Sequence, residues 1–312
     1  MKKRLFLVHG RNFKPDEPQL DAIWTEALRH GIEADHGPEK AKTFDEVDKK
    51  LVYYGELSNA FLRSEGQDYD AEADLADRQK ALAALKAYDR DDLEGERAKA
   101  IYKDLPKNTA LLEALADAVA GPAAFLGLGR RLIPLVAPDL GHYWNLDSAF
   151  GSDVRWTLTE PLAEALRNDE DVLLLAHSLG SMMSYDVLWK FSHYGEYKAI
   201  RHKKISVWIT LGCPLGNGTV KKNLKGARAD RQRRYPHNIQ RWINVAAEDD
   251  YISHDETVAD DYRRMLRWNL IESIEDHRVY NLAVRFDRSN PHHSGGYLIH
   301  PVVSAAVAEW LG

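Results

Sequence analysis

The sequence predicts an α/β protein built on a doubly wound, mainly parallel sheet. Three observations carry that prediction. Short continuous apolar runs, such as RLFLV at 4–8 and DVLLLA at 171–176, have the character of strands buried on both faces. Segments with apolar residues at helical spacing lie between such runs, so strand and helix alternate almost from end to end. With 44% hydrophobic and 29% charged residues over 312 positions, the chain has a globular composition, and one domain spanning 1–312 is expected.

In chain order, RLFLV is the first strand and HGRN its loop. In QLDAIWTEALRHG (19–31), Leu20, Ile23, Trp24, Ala27 and Leu28 share a helical face, and Gly31 is the expected stop. KKLVYYGELS (49–58) predicts a second strand ending near Gly55. From 66 to 140, Ala, Leu and charged residues dominate with no strand-like run, which predicts a helical insertion. VRWTLTEPLAEALRN (154–168) is an amphipathic helix leading into DVLLLA. SMMSYDVLWKFSHYG (181–195) then places Met182, Met183, Tyr185, Val187, Leu188 and Phe191 mostly on one helical side. KISVWITLGCPLG (204–216), IQRWINVAAEDDY (239–251) and HRVYNLAVRF (277–286) each contribute a strand, the last closing the series. HPVVSAAVAEWLG (300–312) is the final helix, with Val302, Val303, Ala306, Val307 and Trp310 on one face.

Composition narrows the classes of function. A net charge of −6 gives no reason to expect nucleic acid as the main partner. The single cysteine, Cys213, rules out an intramolecular disulfide and any CxxC metal site, and the expected location is cytoplasmic. In MKKRLFLVHGRN the apolar run Leu5 to Val8 is too short for a signal peptide. GPAAFLGLGRRLIPLVAP (121–138) is interrupted by Arg130 and Arg131, so no stable membrane insertion is expected. The basic stretch KKNLKGARADRQRR (221–234) is either a solvated loop or a rim that attracts an anionic group or surface. Oligomeric state is left open.

In open α/β sheets, ligands bind beyond the carboxyl ends of the strands. Those ends carry His9, Gly10 and Arg11; then Ser178; then Gly212 with Pro214; then Glu248, Asp249 and Asp250; then His292 and His293. A serine hydroxyl is a weak nucleophile unless a base takes its proton and a third group orients that base. One serine, a carboxylate cluster and a histidine pair follow in that order. Ala176 and Gly180 are the small neighbours that a sharp strand-to-helix turn at Ser178 requires. An oxyanion at this position needs two N–H donors, expected from the backbone of Leu179 and from Gly10 and Arg11 in the first loop. His9 and His177 read as hydrogen-bonded structural residues.

Together, LFLVHGRN, LLLAHSLGS, WITLGCPLG, INVAAEDDYI and NPHHSGGYLIHPVV resemble the serine esterase and lipase branch of the α/β-hydrolase superfamily. The resemblance covers nearly the whole chain apart from 66–140. It implies that Ser178 attacks an acyl carbonyl, that His292 or His293 moves the proton, and that an acid at the preceding strand end orients it. The family pattern of an aliphatic two residues after the acid favours Asp250, with Ile252, over Glu248 and Asp249. Spacing to the Gly-Tyr-Leu block favours His292 over His293, and His300 fits less well. The implied activity is hydrolysis of a small-molecule carboxylic ester, lipid-like or anionic, through an acyl-serine and without cofactor or metal. Thioester or amide cleavage and acyl transfer use the same machinery. A hydrolase-like binding module is the reading from another class, and its mark would be a missing triad member. Phe125, Leu126, Leu128, Leu132 and Ile133 either cover an acyl pocket as a lid or pack the inserted helices.

Overall fold

A computed structural model describes residues 1–106, 138–145, 147–253 and 257–312. Its centre is a sheet of six strands: β1 (Lys3–Val8), β2 (Asp48–Val52), β3 (Asp171–His177), β4 (Ile205–Leu211), β5 (Ile239–Ala247) and β6 (Ser273–Val279). They lie in the order β2-β1-β3-β4-β5-β6, and every pairing is parallel. Helices cover both faces, so the architecture is the doubly wound α/β type that the sequence predicts. Alternate residues of each central strand supply the two cores. Phe6, Val8, Val172, Leu174 and Ala176 pack beneath helices α7 (Phe150–Arg167) and α8 (Leu179–His193). Leu5, Leu7, Leu173 and Leu175 pack beneath α1 (Glu17–His36) and α12 (Pro301–Leu311). Leu173, Leu174 and Leu175 are all completely buried, and a fully buried leucine contributes about 1.5–3 kcal/mol.

The direction of winding reverses between β1 and β3: the chain leaves β1 toward β2 on one side and β3 toward β4 on the other. Such a reversal opens a crevice above the carboxyl ends of the two strands. Register fixes what stands there. Val8 pairs with Ala176, and His177 with Leu211, so the loops holding Gly10, Ser178 and Gly212 emerge side by side.

Several boundaries differ from expectation. Helix α1 runs past Gly31 to His36, because Gly31 is a close-approach residue: a Cβ there would sit 3.0 Å from the Ile299 carbonyl oxygen. The stop is Gly37, whose φ of 83° suits glycine and whose N–H returns to the Glu33 carbonyl at 2.9 Å. The second strand ends at Val52, and Gly55 opens helix α3 (Gly55–Ser64). The last strand is 273–279 rather than 277–286. Val284–Arg285 and Arg288–Ser289 (β7 and β8) instead form a separate small hairpin.

Helices α2 (Pro38–Glu46) and α3 precede the expected insertion, whose described part holds α4 (Ala71–Lys86) and α5 (Gly95–Asp104), and α6 (Pro138–Trp144) begins at its end. Helix α4 belongs to the core: Leu82 and Leu85 join the cluster under α1. Lys86 pairs with Glu26, and Arg90 grips Asp35 through Nε and Nη2 at 2.5 and 2.6 Å. Phe125, Leu126, Leu128, Leu132 and Ile133 lie outside the described residues. Among the described residues, no helix is long and apolar enough to cross a membrane.

Candidate active site

Ser178 occupies the one-residue turn between β3 and α8 at φ 55° and ψ −122°, a conformation an L-residue adopts only under strain. The surroundings impose it. The Ser178 N–H completes the ladder to the Leu211 carbonyl at 2.9 Å, while its own carbonyl already accepts from the Ser181 N–H at 3.0 Å. The chain must turn from strand to helix within that residue. Helix α8 begins hard against the end of β1, where a Cβ on Gly180 would lie 2.6 Å from the His9 oxygen and 2.7 Å from the Val8 oxygen. Only glycine fits there.

The hydroxyl meets its partners at once. Ser178 Oγ is 2.9 Å from His292 Nε2, and His292 Nδ1 is 2.8 Å from Asp250 Oδ2 and 3.0 Å from Oδ1. With Asp250 ionised, Nδ1 carries the proton and Nε2 is the acceptor facing Ser178. Asp250 sits at the turn after β5, its carboxylate out of solvent. Tyr297, on the short helix α11 (Ser294–Leu298), donates its hydroxyl to Oδ2 at 2.6 Å, and the Ile252 N–H donates to Oδ1 at 3.0 Å. Burial alone would raise this carboxyl. The His292 ring and the hydrogen bonds from His292, Tyr297 and Ile252 outweigh it and hold Asp250 below the usual carboxylate range.

Among the acids, Glu248 pairs with Arg278 at 2.9 Å and exposed Asp249 accepts from the Tyr102 hydroxyl. Neither reaches His292. Of the two adjacent histidines, His292 bridges Ser178 and Asp250. His293 is turned into the protein, where its Nδ1 is buried without a hydrogen-bond partner and a Cβ on Gly295 would come within 3.1 Å of it. Burial, reinforced by Arg285 and Arg78, pushes its pKa well down and keeps it neutral. His300 caps α12, accepting from the Val302 N–H at 3.2 Å, and its other nitrogen lies 2.9 Å from the Leu93 carbonyl. Burial pushes it down to about 4.

Gly10 and Arg11 line the crevice beside Ser178. A Cβ on Gly10 would lie 2.8 Å from the Ser178 Cβ, so the loop approaches only because that residue lacks one. His9 shapes the loop. The Tyr54 N–H donates to His9 Nε2 at 3.1 Å, which leaves Nδ1–H to donate to the Gly10 carbonyl at 2.8 Å. Across a trans peptide the following N–H points the opposite way, so the Arg11 N–H is directed away from the His9 ring. Lys14 gathers the next carbonyls: its ammonium donates to those of Asn12 and Phe13 at 3.0 and 3.2 Å, and to that of Arg11. Leu179 is the first residue of α8, so its N–H has no acceptor within the helix. His177 is likewise a framework residue, with Nε2 2.9 Å from the His292 carbonyl and its ring 4.6 Å from that of His292.

The sequence places Gly212 at a strand end and Tyr297 near the histidine pair, but the support that each gives Asp250 is not foreseen from sequence alone. Gly212 has φ 51°, and a Cβ there would meet Asp250 Oδ2 at 2.7 Å and His292 Nδ1 at 3.0 Å. Its signal is a glycine directly after a buried strand. Tyr297 serves in the sequence only as a spacing marker; its signal is a phenol within a short, wholly buried helix of mostly small residues. The basic stretch 221–234 does not border the crevice. Lys221 pairs with Asp261, and the Lys225 N–H binds the buried Asp186 carboxylate at 2.8 Å. Among the described residues, no group of three or more His, Cys, Asp or Glu side chains is placed to hold a metal ion.

Comparison with protein-family models, curated proteins and solved structures finds no match to this chain. What the site can do is therefore read from its own residues.

Proposed function

We propose that the chain is a serine hydrolase of the α/β-hydrolase type that cleaves carboxylic esters. His292 Nε2 takes the Ser178 proton as Oγ bonds to the acyl carbon, and the carbonyl electron pair moves onto oxygen. When that pair returns, the bond to the alcohol oxygen breaks, and the alcohol leaves with the proton from Nε2. Water then adds to the acyl-serine with His292 again as base. The acid departs and Ser178 regains its hydrogen. Asp250 stays ionised throughout, holding the ring orientation and stabilising the imidazolium. The Leu179 and Arg11 N–H groups receive the oxyanion, each such donor being worth about 10²- to 10³-fold in rate.

The observation that carries this reading is the unbroken hydrogen-bonded chain from strained Ser178 through His292 to buried Asp250. A serine that merely packs has no need of such a turn. The test is steady-state hydrolysis of p-nitrophenyl butyrate. Wild type is expected to turn over, and Ser178→Ala to lose about 10⁴-fold or more in kcat. A Ser178→Ala protein that matches wild type overturns the proposal.

A further inference from the structure

Two cavities that differ in the polarity of their linings meet at Ser178. The smaller, about 200 Å³, is walled by Leu140, Trp144, Leu179, Met182, Val220 and Ile252. The larger, about 580 Å³, is lined by Lys14, Tyr69, Asp74, Arg78, Arg285 and Phe286 among others. Ser178, His292, Arg11, Asn12 and Asn290 border both.

Size limits the apolar side. A dry cavity of about 150 Å³ in another protein accommodates one benzene ring, so the space here takes about six to eight carbons. Leu179 borders this cavity and not the larger one, so a carbonyl seated at its N–H directs the acyl substituent into the apolar space.

Charge pairing limits the polar side. Asp74 lies between Arg78 Nε and Arg285 Nη2, each at 2.7 Å, and Arg285 also pairs with Asp77. The lining as a whole sets Arg11, Lys14, Arg78 and Arg285 against Asp68, Asp70 and Asp74. Such a nearly neutral wall favours no polyanion. It offers donors and acceptors side by side, which suits hydroxyl groups that both donate and accept.

Phe286 adds a second observation. It stands at the rim with its side chain largely in solvent, 59% exposed. Phe286 and Asp287 form the two-residue turn of the β7–β8 hairpin at φ 50° and 58°, a place that favours Asn, Asp or Gly. A phenylalanine held there at the expense of strain carries the Arg285 guanidinium 5.2 Å from its ring centre on one side, lines the polar cavity and leaves much of its ring in solvent. The C–H face of a sugar ring fits such a surface, and its hydroxyls fit the wall behind it.

Resting on the serine-hydrolase reading, we infer that the substrate joins a short acyl group or single aromatic ring, in the apolar cavity, to a neutral hydroxyl-rich alcohol of the sugar type. The alcohol lies in the polar cavity against Phe286.

The test compares ethyl butyrate, butyryl glucose and butyryl glycerophosphate with the full-length chain, alongside p-nitrophenyl esters from acetate to dodecanoate. Butyryl glucose is expected to exceed both other butyrates in kcat/KM by about tenfold. The chain-length optimum is expected between butyrate and octanoate, with dodecanoate lower by about tenfold or more. In Phe286→Gly, where glycine accepts the backbone without strain, the ratio of glucose-ester to ethyl-ester kcat/KM should fall about fivefold. Val220→Trp should move the chain-length optimum to acetate. A glycerophosphate ester that wins, an alcohol preference that is flat, or an optimum at dodecanoate overturns the inference while p-nitrophenyl ester turnover keeps the hydrolase reading. A wild-type protein that neither hydrolyses any ester nor reacts with a fluorophosphonate at Ser178 overturns both.

Discussion

Replacing Tyr297 by Phe removes one oxygen from the deepest part of the site. That oxygen donates to Asp250 at 2.6 Å and accepts from the Ala247 N–H at 2.9 Å, with Tyr297 completely buried. Losing a hydrogen bond to a charged group costs about 1.5–3 kcal/mol, and orphaning a buried N–H costs about 1–3 kcal/mol more. Because Asp250 keeps His292 and the Ile252 N–H, the expected loss at neutral pH is about 3 kcal/mol, or about 5 °C in melting temperature for this chain length. The pH dependence has a definite sign. Asp250 is depressed in the folded state, so its contribution is complete above the unfolded carboxyl value of about 3.9 and is lost as pH falls through the folded value. Without the tyrosine hydroxyl the folded value rises, and that loss begins at higher pH. The gap between wild type and variant should therefore be full at neutral pH and narrow below about pH 4. Thermal melts at a series of pH values measure it, and kcat for p-nitrophenyl butyrate should fall in parallel. A variant that melts within about 1 °C of wild type at every pH refutes the assignment of Tyr297 as the residue that positions Asp250.

The same geometry makes other expectations. His292→Ala should cost about 10⁴-fold or more in kcat, whereas His293→Ala should stay within about tenfold of wild type; the reverse order would move the base to His293. Ser178→Gly should be more stable than Ser178→Ala by about 1 kcal/mol, because glycine adopts the turn without strain; equal melting temperatures would deny that the turn stores any. Gly180→Ala drives a Cβ into two carbonyl oxygens of the β1 end and should destabilise by about 2–3 kcal/mol, seen as a lower denaturant midpoint. A Gly180→Ala protein as stable as wild type would mean that α8 can shift away from β1.

What the sequence discloses depends on how much of each element is buried. Strands β3, β4 and β5 are legible because nearly every residue faces a core, so LLLA is a continuous apolar run and VWITL and INVAA are each interrupted by a single buried polar residue, Thr210 and Asn244. Strand β6, SIEDHRV, is a half-exposed edge strand with the polar run Glu275 to Arg278 at its middle, and its apolar signal is too thin to place it. Gly31 misleads because a glycine at a helix end and a glycine under a crossing backbone look alike in one dimension. The RFDR hairpin is hidden because a phenylalanine fills a turn position usually marked by Asn or Gly. At the site, the turn at Ser178 shows in sequence because small residues must flank it. Which of Glu248, Asp249 and Asp250 faces His292 depends on a turn after β5 in which Asp249 takes φ 57°, a tertiary outcome beyond local pattern. The support given by Gly212 and Tyr297 is likewise tertiary, since each touches Asp250 across more than thirty residues of chain.

The central claim is that Ser178 is a nucleophile activated by His292 under the control of Asp250. Intact-protein and peptide mass spectrometry after treatment with a fluorophosphonate at neutral pH tests it most directly. A single adduct on the peptide carrying Ser178 is expected in wild type, with none in Ser178→Ala and strongly slowed labelling in His292→Ala. Wild-type protein that stays unlabelled, or labels equally fast without His292, contradicts the account.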